Sequence, residues 1–123
     1  MIMTVINQAV VQVLAYNKEV DGTTTRTFLA MLHGQPIGSV DVNEWQKPGG
    51  WVSWVFVAEG FRRQGVARDL FQKIIYDARQ AGKTGLGLSV KDENMVAQAL
   101  YASLGFRVCY AFDNGTVAMT LHL

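Results

Sequence analysis

The chain has 123 residues, half of them hydrophobic, with 17% charged residues and a formal net charge of +1. Such a length and balance fit one folded domain over residues 1–123 and exclude a disordered chain or a second core. No basic stripe suits a phosphate backbone, so nucleic acid is not an expected partner. The single cysteine, Cys109, excludes an internal disulfide framework and a multi-cysteine zinc site, and no metal is expected.

The start of the chain lacks a basic segment and a small-residue cleavage site, and no run approaches a membrane span; a soluble, cytoplasmic protein is expected. Residues 3–16 are rich in valine and isoleucine and read as a strand, with a helix open for part of it. Residues 17–24 form a short polar connection. Thr25–His33 and Ile37–Val42 are β-rich and flank Gly34-Gln35-Pro36, a hairpin. A turn at Lys47-Pro48-Gly49-Gly50 leads into Trp51–Val57, apolar apart from Ser53, the expected central strand.

The period then changes. Val66, Ala67, Leu70, Phe71, Ile74, Ile75 and Ala78 recur at spacings of three and four, which predicts a helix over 65–81 stopped by Gly82. A short buried strand follows at Leu86–Val90. Ala97, Leu100, Tyr101 and Leu104 predict a second helix, with Asp92 or Asn94 as N-cap and Gly105 at its end. Phe106–Phe112 and Thr116–Leu123 close the chain as strands around Asp113-Asn114-Gly115. A strand–helix–strand unit between hairpins implies an α/β fold: a mixed, largely antiparallel sheet with a central parallel pair and helices packed on it.

The chemistry concentrates where the central strand meets the first helix. The loop carries Arg62-Arg63-Gln64-Gly65 ahead of Val66-Ala67. A helix N-terminus exposes unpaired N–H groups, small residues allow close approach to its backbone, and the arginines add charge-assisted donors. On these residues alone the loop is either a phosphate cradle or an ordinary helix start beside solvated arginines. Gly82-Lys83-Thr84 fails as a P-loop because Asp77 stands where a glycine is required. Gly85-Leu86-Gly87 is only a fragment of a dinucleotide fingerprint.

Arg62-x-x-Gly65-x-Ala67, after a strand ending Val55-Phe56-Val57, resembles the acetyl-CoA pyrophosphate motif of the GNAT superfamily. Asn94-x-x-Ala97-x-x-Leu100-Tyr101-x-x-x-Gly105-Phe106 resembles that superfamily's second signature. The resemblance implies an acetyl-CoA-dependent N-acetyltransferase with an amine acceptor, small molecule or peptide. It implies that Val55, Phe56 and Val57 pair with the pantetheine arm, the Val57 N–H polarising the thioester carbonyl. It further implies that Gln64, Gly65, Val66 and Ala67, with Arg62, Arg63 and Arg68, hold the pyrophosphate, and that Asn94 and Tyr101 reach the cofactor. Tyr101 is then either the proton donor to the departing thiolate or a core tyrosine. A non-catalytic acetyl-CoA or CoA-binding module and a purely structural domain are the alternatives.

No general base stands on the central strand; Glu59, Asp41, Glu44 and His33 are the candidates. Trp45, Trp51 and Trp54 form an aromatic wall for the acceptor or a dimer contact, or else ordinary packing of the hairpin on the sheet. Relatives place helices where this chain has only residues 17–24. The acceptor side is therefore expected to be open or completed by a second copy in a homodimer.

Overall fold

In the computed structural model, which describes residues 3–123, turn chemistry decides the first third of the chain. Asn7 and Gln8 both adopt positive φ and break the expected first strand. They turn β1 (Val5–Ile6) back onto β2 (Ala9–Val10) as a small hairpin before β3 (Gln12–Val20) begins. Residues 17–24 are not a connection. β3 continues to Val20, β4 (Thr23–Leu32) starts three residues later, and Asp21-Gly22, at φ 52° and 76°, makes the two-residue turn between them. Asp-Gly suits this turn because both positions need left-handed backbone. The polar side chains of residues 17–19 do not oppose a strand here, since that end of β3 is solvent-exposed. The next turn is His33-Gly34, one residue earlier than expected, leading into β5 (Gln35–Asn43).

The rest follows the expected order: β6 (Trp51–Val57), α1 (Val66–Gln80), β7 (Gly85–Lys91), α2 (Met95–Ser103), β8 (Arg107–Ala111) and β9 (Thr116–His122). The main sheet runs β3-β4-β5-β6-β7-β9-β8. Every neighbouring pair is antiparallel except β6–β7, the parallel pair joined by α1. Among the described residues no helix is long and apolar enough to cross a membrane.

Both helices lie on one face of the sheet. The buried stripe of α1 comprises Val66, Leu70, Phe71, Ile74, Ile75 and Ala78, the spacing of one helical face. It meets β5 so closely that a Cβ on Gly38 would lie 3.3 Å from the side chains of both Leu70 and Val66. Arg26 of β4 pairs with Asp77 at 3.0 Å and ties the far end of α1 to the sheet. Phe71 packs against Tyr101 of α2, ring centroids 5.1 Å apart, and Arg68 donates to the Ser103 hydroxyl at 2.9 Å. Among the described residues the opposite face carries no helix, since β3 and β4 are joined by a two-residue turn.

Lys83 is the residue whose role the sequence did not disclose. Its side chain is buried, and the ammonium donates to the carbonyls of Trp45, Lys47 and Gly49 at 3.1, 2.5 and 2.7 Å, with that of Glu44 at 3.5 Å. It also lies 5.0 Å from the Trp45 ring centroid. Burial lowers its pKa from 10.5, with Glu44 opposing. The lysine thus staples the loop before β6 to the chain entering β7, while Gly82 ends α1 as expected.

Candidate functional site

The two sides of β6 are unequal. On β5 its register runs Ser39↔Phe56 and then Asp41↔Ser53, so β6 holds one residue more than β5 over that span, a β-bulge. Trp54, at φ 55°, sits at the bulge and is 82% exposed. On the other side, β6 and β7 share a single register pair, Trp51↔Gly87, and then part. The Ala58 N–H donates to the Ile37 carbonyl at 2.8 Å. Alternation along an antiparallel ladder therefore turns the N–H and C=O of Val57 away from β5, into the fork between β6 and β7.

The loop that follows folds back on the strand. Arg62 Nε donates to the Val57 carbonyl at 2.9 Å, and Gln64 Nε2 donates to the Gly60 carbonyl at 2.9 Å. Gly65 then caps α1 with no side-chain cap bond; the first bond of the helix is Asp69 N–H to the Gly65 carbonyl. The N–H groups of Val66, Ala67 and Arg68 precede that bond and have no intrahelical acceptor, so the positive end of the helix is left open. The carboxylate of Asp69 does not neutralise this end from outside. It is buried and accepts the Thr4 N–H at 2.9 Å.

Gly65 has a reason beyond anion approach. Its φ is 93°, and a Cβ there would stand 2.7 Å from the Thr4 hydroxyl, so the N-terminal segment and the helix start both require a glycine.

The fork and the helix start open onto one groove of about 470 Å³. Val55, Val57, Arg62, Arg63, Gly65, Val66, Ala67, Arg68, Asn94 and Tyr101 of the sequence-derived set all line it. Two of that set are not among the lining residues: Phe56 pairs with Ser39 and projects to the opposite face, and the Gln64 side chain turns to the Gly60 carbonyl, which leaves its backbone N–H uncommitted by that bond. Phe61, Val96, Ala97 and Leu100 complete the lining and were not assigned from sequence. Val96 and Leu100 were legible as positions i and i+4 on the face that carries Tyr101, but Phe61 stands in a loop with no periodicity to betray it. Asn94 is the N-cap, its Oδ1 accepting the Ala97 N–H at 3.1 Å.

Tyr101 is 6% exposed and packed against Phe71 and Phe106. Among the described residues its hydroxyl has no hydrogen-bond partner, and its ring lines the groove. Burial raises its pKa above 10.0, because a phenolate there loses its water. The phenol is therefore a neutral donor throughout the neutral range.

None of the four candidate bases lines the groove. Glu59 is exposed in the loop, Glu44 pairs with Lys47 at 3.3 Å, and His33 occupies the β4–β5 turn. Asp41 lies on the helix-free face of β5. The three tryptophans do not form a cluster. Trp45 packs edge-on against Phe28 with its centroid 6.0 Å away, Trp51 covers Gly87, and Trp54 stands in solvent.

A family model described as "Acetyltransferase (GNAT) family" matches residues 7–106. Among solved structures the chain is similar to an IAA acetyltransferase from Bacillus cereus, with 20% identity, 80% of this chain and 78% of that one covered, and a TM-score of 0.71. It is similar to a GNAT family acetyltransferase from Elizabethkingia anophelis solved with acetyl-CoA bound, with 20% identity, coverage of 80% and 76%, and a TM-score of 0.72. It is also similar to the ribosomal-protein-S18-alanine N-acetyltransferase from Escherichia coli, with 25% identity, coverage of 78% and 67%, and a TM-score of 0.70. No curated protein matches the chain at the level of sequence.

Proposed function

The chain belongs to the GNAT family of acetyltransferases, and from that premise we propose that residues 1–123 act as one domain that moves an acetyl group from acetyl-CoA to a primary amine by direct transfer in a ternary complex. One observation carries the reading: the fork between β6 and β7 opens onto the uncapped N-terminus of α1 and onto Tyr101 in a single groove. A long ligand with an anionic diphosphate and an apolar thioester end matches that sequence of surfaces. The groove is lined by the unpaired N–H groups of the helix start with Arg62, Arg63 and Arg68, and by the apolar Val55, Val57 and Leu100 with Tyr101.

In this reading the N–H groups of Gly65, Val66 and Ala67, with Arg63 and Arg68, hold the diphosphate, and Asn94 borders it. Arg62 contributes through the N–H groups not engaged by the Val57 carbonyl. The Val57 N–H donates to the thioester carbonyl oxygen, where negative charge builds as nitrogen attacks. The C–N bond forms, the C–S bond breaks with its electron pair on sulfur, and Tyr101 gives its phenolic proton to that sulfur. The proton lost by the amine passes to solvent, which reprotonates Tyr101.

A binding-only module is the second reading. It is favoured by one observation: among the described residues lining the groove there is no carboxylate or imidazole. Release of free CoA that depends on both acetyl-CoA and an added amine, and that falls in a Tyr101→Phe variant with unchanged acetyl-CoA affinity, supports transfer. Tight acetyl-CoA binding with no release across an amine panel supports the module. We propose further that two copies pair through edge strand β8, all of whose residues are exposed. A monomeric mass in sedimentation at micromolar concentration contradicts that pairing.

A further inference from the structure

Val57 ends β6 with no strand paired to it on the fork side, yet its carbonyl is not left open there. It accepts Arg62 Nε at 2.9 Å. The same peptide is held at its other edge, where the Ala58 N–H donates to the Ile37 carbonyl at 2.8 Å. The preceding peptide, which carries the Val57 N–H, is placed by the pairing of Phe56 with Ser39. Arg62 thus stands in for the ladder bond that β7 would supply had the two strands stayed together. Without it the last peptide of β6 hangs on β5 alone, and the dihedrals of Val57, which aim its N–H, lose a restraint.

Arginine suits two tasks at this position. A guanidinium carries five N–H donors in one rigid plane. Nε spends one on Val57, which leaves the four on Nη1 and Nη2. The side chain is exposed and lines the same groove as Val66 and Ala67 of the helix start. Among the described residues it is the groove arginine bonded to β6; Arg68 donates instead to Ser103 at 2.9 Å. The loop gives Arg62 little slack. The Phe61 N–H donates to the Ala58 carbonyl at 3.0 Å, and Gly60 and Arg63 turn the chain on either side at φ 92° and 62°. An anion bound by Nη1 or Nη2 fixes the plane of the guanidinium, and with it the direction of Nε.

Resting on the acetyl-transfer reading, we infer that Arg62 is a positioning residue that couples the diphosphate to the oxyanion donor. Its Nη groups take a diphosphate oxygen while its Nε holds the Val57–Ala58 peptide, so the Val57 N–H is aimed most firmly when the whole donor is bound. Arg62 stays cationic and exchanges no proton. A donor that lacks the diphosphate therefore loses kcat as well as affinity, because binding far from the thioester is spent on holding the group that stabilises the transition state.

The test begins with backbone NMR of wild type and Arg62→Lys, which keeps the charge but offers one nitrogen for two partners, titrated with inorganic pyrophosphate. The Ala67 amide reports the helix start, and the Val57 and Ala58 amides report the fork. All three resonances are expected to move in wild type, and Ala67 alone in Arg62→Lys. Kinetics then compare acetyl-CoA with S-acetylpantetheine, with free thiol release across an amine panel as the assay and thermal melts as the check on folding. In wild type the truncated donor is expected to raise KM and lower kcat about tenfold, the scale of one charge-assisted bond. In Arg62→Lys the kcat for acetyl-CoA falls by a similar factor, and truncation lowers it no further. Val57 and Ala58 resonances that stay in place in wild type while Ala67 moves, that move as far in Arg62→Lys, or an equal kcat loss on truncation in both proteins overturns the coupling and leaves the transfer reading intact. The wild-type titration decides this even where the variant misfolds. A folded wild type that binds no acetyl-CoA, or binds it and acetylates no amine, overturns the transfer reading and the coupling with it.

Discussion

The two ends of β6 are built on opposite principles. At Trp51 the strand is held from both sides: Asn43 pairs with it from β5, Gly87 from β7, and the Lys83 ammonium collects the carbonyls of the loop just before it. At Val57 it is held from one side only, with its N–H turned into an open fork. A parallel pair that is stapled at one end and free at the other makes a cleft whose width is set far from where it is used. The buried groups at the closed end are satisfied by the protein, and those at the open end are left for a ligand.

That contrast orders the expected effects. Lys83→Met leaves several buried carbonyls without their donor and is expected to cost about 3 kcal/mol in urea unfolding. A loss within experimental error means the staple is ornamental and the fork is held by strand pairing alone. Tyr101→Phe, at the open end, is expected to leave the melt in place and lower kcat about 100-fold, the lower range for a positioned acid. Its pH dependence has a definite sign. Burial raises the phenol above 10.0, so the donor is intact at all lower pH and is lost only as pH rises through that elevated value. The alkaline fall in rate lies above pH 10 in wild type and is absent in Tyr101→Phe.

Gly65→Ala is expected to destabilise by about 2 kcal/mol through left-handed backbone and the Thr4 clash. A Thr4→Ala partner change relieves the contact part and leaves the backbone part. This glycine is therefore a poor probe of binding. Arg63→Ala is expected to move stability by less than about 0.5 kcal/mol while weakening acetyl-CoA severalfold in calorimetry, the cleanest separation of the two ends.

Much of this was legible from residue patterns. The period of α1, the Asn94 cap, and the convergence of the Arg62–Arg68 segment with Tyr101 all rest on local signals, namely helical spacing, capping chemistry and two short motifs. What escaped depended on contacts between distant segments. Lys83 stood in the sequence only as part of a failed P-loop beside the helix stop, because its acceptors lie 34 to 39 residues away. Gly65 looked like a phosphate contact alone because Thr4 is far from it in the chain. The β6 bulge leaves no mark in an apolar run, since it is a mismatch with β5. The Asp21-Gly22 turn was available in the sequence and was obscured by polar neighbours that belong to an exposed strand end.

The account rests on the open end of β6 and the uncapped start of α1 holding one ligand. Calorimetric titration of acetyl-CoA into wild type and an Arg63→Glu variant, with thermal melts of both, tests this most directly. The account predicts micromolar binding by wild type and its loss in a variant that melts at the same temperature. A folded wild type that binds no acetyl-CoA, or a variant that binds it as tightly, contradicts it.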